Sequence, residues 1–510
     1  MAENLQSDYK KLLEKTRNLT ILQSATSIIG WDMRTMMPSK GIGLRSQQLA
    51  LLSRIEHQMS TDTEVGRLLE SITRDSNSGL SEVQKRNIYL IKKRYDEQTA
   101  LPEGLVAEIA KQSALTRDIW KKAKAAKEYS MFKPDLEKLF KLLKKAAEIL
   151  MKVKNTATPY DALIDIYEPK MTAQTISKTF NELREGLVTL IKKCQDAPKQ
   201  PDPTVLRRKI PIETQRKLAR ALAEFVQYDV SSKQSGGRID ETEHPFTAGY
   251  YDDVRITTHY YEDDFASSIF AVLHEAGHAL YEQDLPKDWM YQPIGSACSA
   301  GFHESQSRMV ENIIGRSSEF WTSFYPKLKE TTGNALADVT REEFVRAINQ
   351  VRPSKIRVEA DEVTYGLHII IRFNIERDLF ANKITVSELP QVWNQSYRDY
   401  LGVEIEHDSE GVMQDSHWAG GGYGYFPSYA LGNIYGGQLL ATMERSLSDW
   451  RTQLANGRFN EIRQWMINNV HAHGNLYDPA DLIKRITGTE LSIKPFLNYL
   501  NQKFSNLYGY

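Results

Sequence analysis

The chain has 510 residues, of which 41% are hydrophobic and 26% charged, with a formal net charge of −1. Those figures exclude a disordered chain, a collagen-like repeat and a disulfide scaffold, and they describe a soluble globular protein. The balanced charge gives no global attraction to nucleic acid or to an anionic membrane, so neither is expected as a partner.

Residues 1–11 are polar, with no apolar signal core, and no stretch reaches the ~18 apolar residues of a membrane span. Most of the chain reads as helix. Leu12, Leu19, Leu22, Ala25 and Ile29 recur at steps that place them on one helical face. Residues 121–154 are lysine-rich, but the lysines alternate with Leu and Ala and glutamates are interspersed. That is the pattern of solvated helix faces. Within this stretch Pro134 and Asp135 open a helix with Leu136, Leu139, Phe140, Leu143, Ala147 and Leu150 as its apolar stripe. Residues 196–203 form a Pro-rich exposed loop, and helical patterning resumes over 214–228.

The β signal lies at residues 237–261. Val254, Ile256 and Thr258 alternate with Arg255 and Thr257, while Gly236-Gly237 and residues 247–249 supply turn material. A small sheet or hairpin is expected there, followed by a helix start at Asp264. Further on, Val363, Leu367, Ile371, Ile375 and Leu379 repeat at a step of four, a core-facing stripe. The fold class is therefore mostly α with one small β element. Cys194 and Cys298 lie far apart, with no C-x-x-C pair and no framework, which suits a reducing cytoplasm. Cys298 reads as a structural thiol.

His274-Glu275-Ala276-Gly277-His278 is an H-E-x-x-H pattern. The apolar run 265–273 before it is helical, with Asp263 and Asp264 placed to cap it. Two imidazoles at i and i+4 share one helical face and can share one zinc ion. Glu275 projects beside that ion, where a base for the attacking water belongs. A catalytic site needs a third ligand and one open position. A metzincin histidine would fall at position 284, which is Asp284, and the metzincin glycine position is Tyr281. The remaining candidates are Glu304, His303 and Glu282. Glu282 is i+4 from His278 but a turn further from the ion. Glu304, Arg308 and Glu311 share a helical face, which places Arg308 to orient carboxylates.

These residues, with a series of short motifs in order, resemble the M32 metallocarboxypeptidases, the carboxypeptidase Taq family. The motifs are Gly30-Trp31-Asp32 through Thr35, Met37-Pro38 and Gly41, then Pro159-Tyr160-Asp161-Ala162-Leu163 through Tyr167-Glu168-Pro169. His244-Pro245-Phe246, Asp253-Val254-Arg255-Ile256-Thr257 and the H-E-x-x-H pattern follow. His303-Glu304-Ser305-Gln306, Ile356-Arg357-Val358-Glu359-Ala360-Asp361, and Gly411 through Gln414-Asp415-Ser416-His417-Trp418 complete the series. One departure is Lys170, where the family pattern leads us to expect glycine. The resemblance implies a large, nearly all-helical peptidase with a long substrate groove, like neurolysin and angiotensin-converting enzyme. It implies one catalytic domain over residues 1–510, which two helical lobes flanking a groove would satisfy. It also implies a homodimer that removes single residues from free peptide C-termini with broad specificity. The metal ligands it assigns are His274, His278 and Glu304, with Glu275 as general base. Zn2+ is the expected ion, with Co2+ as an alternative.

Recognition of a terminal carboxylate suits arginine. Arg255 is expected to block the groove, and Arg352 or Arg357 to anchor the carboxylate. The bland reading of Arg357 is an ion pair with Asp361 at i+4. His417 and one tyrosine of the 420–425 Gly-Tyr loop are expected to stabilise the tetrahedral intermediate. Tyr423 is the first choice over Tyr425 and Tyr429. The rival reading is a zinc endo-oligopeptidase of similar architecture.

Overall fold

The computed structural model describes residues 2–74 and 79–510, and helices dominate it. The first helix, Ala2–Thr35, runs unbroken, and its stripe is buried only toward its start. Leu12 and Leu19 are buried, Leu22 and Ile29 are half-buried, and Ala25 is exposed. The buried half meets the helices Thr63–Arg74 and Glu82–Ala100, and its far end lies along the sheet. Leu5, Tyr9 and Leu12 join Val65, Leu69, Ile72, Ile88 and Ile91 in a small core of their own, separate from the large core.

Pro134 does not open its helix. The helix spans Tyr129–Lys154 with Pro134 inside it, because Tyr129 and Phe132 anchor the turn before it. Both are buried, and the Tyr129 hydroxyl donates to Val386 O at 2.6 Å. The lysine faces of this helix and of Glu103–Ala126 are mostly solvated, as expected. Lys154 is the exception, buried between Asp165 (2.9 Å) and Glu97 (3.2 Å). Lys170 has φ 65°, in the left-handed region. Its backbone conformation is the one a glycine adopts without cost, which accounts for the residue type the family pattern leads one to expect there.

The β segment is a three-stranded sheet of β1 (Gly237–Glu241), β2 (Thr247–Tyr250) and β3 (Asp253–Thr258), ordered β1-β3-β2. β1 runs parallel to β3 and β2 antiparallel to it, with Thr247 opposite Ile256 and Ala248 opposite Arg255. Residues 247–249 are thus strand and not turn. Gly249 (φ 122°) sits where a Cβ would meet Asp253 O at 2.0 Å.

The helix Phe265–Gln283 is apolar and buried on nearly every face. Asp264 occupies its N-cap position but makes no side-chain capping bond, and its carboxylate faces Arg207 at 3.6 Å instead. The helix Ala300–Arg308, capped by Ser299, crosses it and continues as a π-helical turn, Met309–Ile314. The contact is close because Gly277 lacks a side chain: a Cβ there would lie 2.6 Å from Ser307 Cα. The helix Tyr365–Phe380 is buried all round, and not along one stripe; it carries His368, Arg372 and Glu376 into the core. Among the described residues no helix is long and apolar enough to cross a membrane.

Candidate active site

The crossing of the two helices brings His274, His278 and Glu304 together, with one ligand atom of each within 4.8 Å of the others. Both imidazole Nε2 atoms face Glu304 Oε2, at 3.7 Å from His274 and 3.3 Å from His278. Each histidine is oriented from behind. His274 Nδ1 bonds to Glu311 Oε2 at 2.8 Å. His278 Nδ1 lies 2.5 Å from His303 Nδ1, and His303 Nε2 lies 2.8 Å from Glu282 Oε1. Glu282 can only accept, so His303 carries its proton on Nε2 and accepts from His278 at Nδ1. Both metal-facing Nε2 atoms thereby keep their lone pairs free. His303 and Glu282 thus stand behind the triad and outside the group of ligand atoms that converge.

Glu304 is buried and held by Arg308, whose Nε donates to Oε1 at 2.7 Å while Nη1 donates to Glu311 at 3.1 Å. Burial works to raise the Glu304 carboxyl, but Arg308 and His274 beside it hold it well below the usual range. Gly432 on the helix Phe426–Ser446 lets that helix press on Glu304, since a Cβ there would meet Glu304 Cγ at 2.6 Å. Glu275 is buried beside the triad, and Thr247 of β2 donates to its Oε2 at 2.5 Å. Burial raises its pKa. Two imidazoles and a carboxylate, each held by hydrogen bonds from behind, fit a divalent cation.

His417 is half-buried, with its ring 4.4 Å from Phe426 and its Nε2 3.4 Å from the Tyr429 hydroxyl. Burial pushes its pKa down to about 4, so the ring is neutral at neutral pH. Its Nδ1 is buried without a hydrogen-bond partner. Tyr425 and Tyr429 pack edge to face at 5.1 Å, and the Glu304 charge acts on both. Tyr423 points elsewhere: it is buried among Phe140, Phe380 and Trp418, and its hydroxyl has no partner. The structure therefore brings Tyr425 and Tyr429 to the triad, and not Tyr423.

The three arginines stand in different surroundings. Arg255 is paired with Asp253 (2.7 and 2.8 Å) and lies 4.5 Å from the Trp31 ring. Strand alternation puts it on the face opposite Ile256 and Thr247, toward the first helix. Arg352 is exposed, with its backbone N–H on Asp361 Oδ2 at 3.0 Å. Arg357 is buried, and the Asp361 pair does not form, because that carboxylate takes the backbone N–H groups of Val363, Thr364 and Arg352. Arg357 bonds Asp415 through Nε (3.0 Å) and Nη2 (2.9 Å), and Arg372 bonds the other Asp415 oxygen at 2.7 Å. Two arginines on one aspartate leave a surplus buried positive charge. Arg357 Nη1 reaches the Tyr365 hydroxyl (3.3 Å), and the Tyr365 ring lies 4.2 Å from the Arg308 guanidinium. The surplus charge is thus one tyrosine away from the group that holds Glu304. Cys298 is buried, and burial pushes its thiol well up, as a structural cysteine requires.

Thr247, Glu311, Tyr365 and Asp415 all support the site. Asp415 and Glu311 lay in or beside recognisable motifs; Thr247 carried no signal, because its contact with Glu275 depends on how the sheet meets the helix.

The family model described as carboxypeptidase Taq (M32) metallopeptidase matches residues 11–504. The chain is 41% identical to "Thermostable carboxypeptidase 1" of Thermus thermophilus, over 98% of this chain and 99% of that one. It is 39% identical to "Carboxypeptidase 1" of Bacillus subtilis, over 98% of each. The M32 carboxypeptidase structure from Deinococcus radiodurans R1 superposes with a TM-score of 0.94 at 34% identity, covering 99% of this chain and 100% of that one. Taken with the triad at the crossing of the two helices, these likenesses show that the chain belongs to the M32 family and is a metallocarboxypeptidase.

Proposed function

We propose that the chain binds one zinc ion and removes single residues from free peptide C-termini, with Glu275 as general base. The observation that carries this reading is the convergence of both imidazole Nε2 atoms on Glu304 Oε2 with the buried Glu275 carboxylate alongside. Two nitrogens and one oxygen form a common catalytic zinc set, with cobalt as an alternative that availability decides. A divalent ion held there supplies Lewis acidity toward a water and the scissile carbonyl. Glu275 takes the proton of the attacking water and passes it to the leaving amine, a task its raised pKa suits. His417, through the N–H of a neutral ring, and Tyr425 or Tyr429 donate to the oxyanion of the tetrahedral intermediate.

Arg357 anchors the substrate carboxylate. The support is its surplus charge: Asp415 is shared with Arg372, so a second anion is accommodated without leaving a charge unpaired. Arg255, backed by Trp31, closes the far end of the groove, and Arg352 is the alternative anchor. Broad specificity and a homodimer rest on the resemblance, and a cytoplasmic location on the two free, buried cysteines.

The test compares free-acid peptides with their C-terminal amides. A carboxylate-anchored enzyme fails on amides, whereas an endo-oligopeptidase of the same architecture accepts them. Arg357→Ala should lose ~2–5 kcal/mol on free acids, as for other desolvated charge pairs, with metal content intact. Amides, which never make the charged contact, should lose much less. If Arg255→Ala, Arg352→Ala and Arg357→Ala all keep the native acid-to-amide ratio, the carboxylate is read elsewhere.

A further inference from the structure

The segment 159–169 is one of the motifs that carry the family resemblance, yet nothing so far gives it a task. It packs against the loop 417–425, which holds His417 at one end and Tyr425 at the other. Between the segment and the loop lies Glu376, fully buried on the helix Tyr365–Phe380.

Three donors converge on the Glu376 carboxylate. Trp418 Nε1 donates to Oε1 at 2.7 Å, Gly424 N to Oε2 at 2.9 Å, and Tyr160 OH to Oε2 at 2.8 Å. Trp418 directly follows His417, and Gly424 directly precedes Tyr425. One carboxylate therefore grips the loop at both ends, next to both groups assigned to the intermediate. The loop is pressed home from the other side. Gly424 has φ 83°, and a Cβ on it would lie 2.8 Å from Leu163 C and 2.9 Å from Ile164 N. The Tyr167 ring then meets the Tyr425 ring edge to face at 5.0 Å. Among the described residues no cation bonds Glu376 directly. Burying a carboxylate without a counter-ion is costly, and a neutral side chain would fill the volume more cheaply. Trp418 Nε1 and Gly424 N can only donate, one to each oxygen, so a carboxylate accepts from both, whereas an amide turns its N–H toward one of them.

We propose that Glu376 is a positioning residue for the reaction, fixing His417 and Tyr425 through Trp418 and Gly424, with the 159–169 segment as its backing. This rests on the role given above to His417, Tyr425 and Tyr429. Glu376 touches no substrate, so its loss misplaces the donors without removing them.

Glu376→Gln is the test, made on the full metal-loaded chain. Metal content should stay at the wild-type level and KM should change little. A misplacement of about an ångström costs on the order of 10²-fold, so kcat should fall ~10–100-fold. Amide exchange should rise over 417–425 and not over the ligand helices. The effect should be sub-additive with Tyr425→Phe, because a misplaced tyrosine has less left to lose. If Glu376→Gln fails to fold, Tyr160→Phe decides, since it removes one donor from outside the loop and should give the same pattern more weakly. Wild-type kcat and loop exchange in the folded variant overturn the proposal, as does full additivity with Tyr425→Phe. If His417→Gln, Tyr425→Phe and Tyr429→Phe each keep wild-type kcat, the catalytic role of the loop fails instead. Loop exchange in Glu376→Gln then still reports whether Glu376 holds the loop.

Discussion

Glu275 and Glu304 are both buried at the crossing of the two metal-site helices, yet their surroundings drive them apart. Burial dominates at Glu275 and raises it, while Arg308 and His274 overcome burial at Glu304 and keep it ionised. A carboxyl poised to take a proton suits a base, and one that never takes it suits a ligand. Glu275→Gln should therefore keep its metal and lose ~10²–10⁴-fold in kcat, the usual share of a general base. Glu304→Gln should lose metal first. Elemental analysis of the dialysed variants beside kcat separates the two, and an empty Glu275→Gln with a full Glu304→Gln reverses the roles. A third buried carboxylate, Glu168, accepts from Gly301 N at the start of the ligand helix and from the Tyr435 hydroxyl at 3.3 Å. Burial raises it from 4.5 to about 7. A raised acid binds its proton more tightly folded than unfolded. Its contribution to stability is thus full below pH 4.5 and is lost as pH rises through about 7. Glu168→Gln should flatten that fall, which urea midpoints at pH 5 and pH 7.5 will show.

Two glycines set the distances between helices around the triad. Gly277 lets Ala300–Arg308 cross the H-E-x-x-H helix, and Gly432 lets Phe426–Ser446 lie against Glu304. Ala at position 432 gains up to ~1 kcal/mol of helix propensity but overpacks the site at a cost of ~1–3 kcal/mol. Gly432→Ala should accordingly lower both the thermal midpoint and metal affinity in chelator competition. Gly30→Ala, in a helix with no atom within 4 Å of the new methyl, should raise the midpoint. Spacing within one helix was legible: His274 with His278, and Glu304 with Arg308, are set by a period the sequence displays, whereas Glu311 reaches the same site from the π-helical turn that follows. The apolar stripes were legible as helices but not as to which faces they bury, because burial all round Tyr365–Phe380 depends on neighbours on every side. Pro134 misled because anchoring by Tyr129 and Phe132 outweighed its usual preference for a first turn. Thr247 read as turn because Gly249 breaks the strand pattern, although Gly249 is where two backbones meet. Tyr423 and Tyr425 stand two apart in the same loop, and their different neighbours, Phe140, Phe380 and Trp418 around one and Tyr167 and Tyr429 beside the other, come from segments distant in sequence.

At the scale of the whole chain, the apolar interior is divided. The small core around Leu12, Leu69 and Ile88 holds the first helices together, and a polar seam joins them to the rest. Arg86 donates to Asn475 O at 2.8 Å and to Asp478 at 2.8 Å, and Asn87 donates to Gln292 at 2.7 Å. Trp31 lies 4.9 Å from the guanidinium of Arg238 and 4.5 Å from that of Arg255. A core of so few side chains stabilises less than the large one, and polar contacts across the seam add little in net terms. Native-state hydrogen exchange should find the amides of the first hundred residues or so opening at lower free energy than those of the metal-site helices. A single opening energy for both would show that the seam is as strong as the cores. None of His274, His278 and Glu304 belongs to the small core. Warming should then produce an enzyme that has stopped working but has kept its ion, with the frame for refolding its missing part still in place. Inactivation of that kind reverses on cooling, so the temperature at which activity fades and the temperature at which the molecule is irretrievably lost need not be the same.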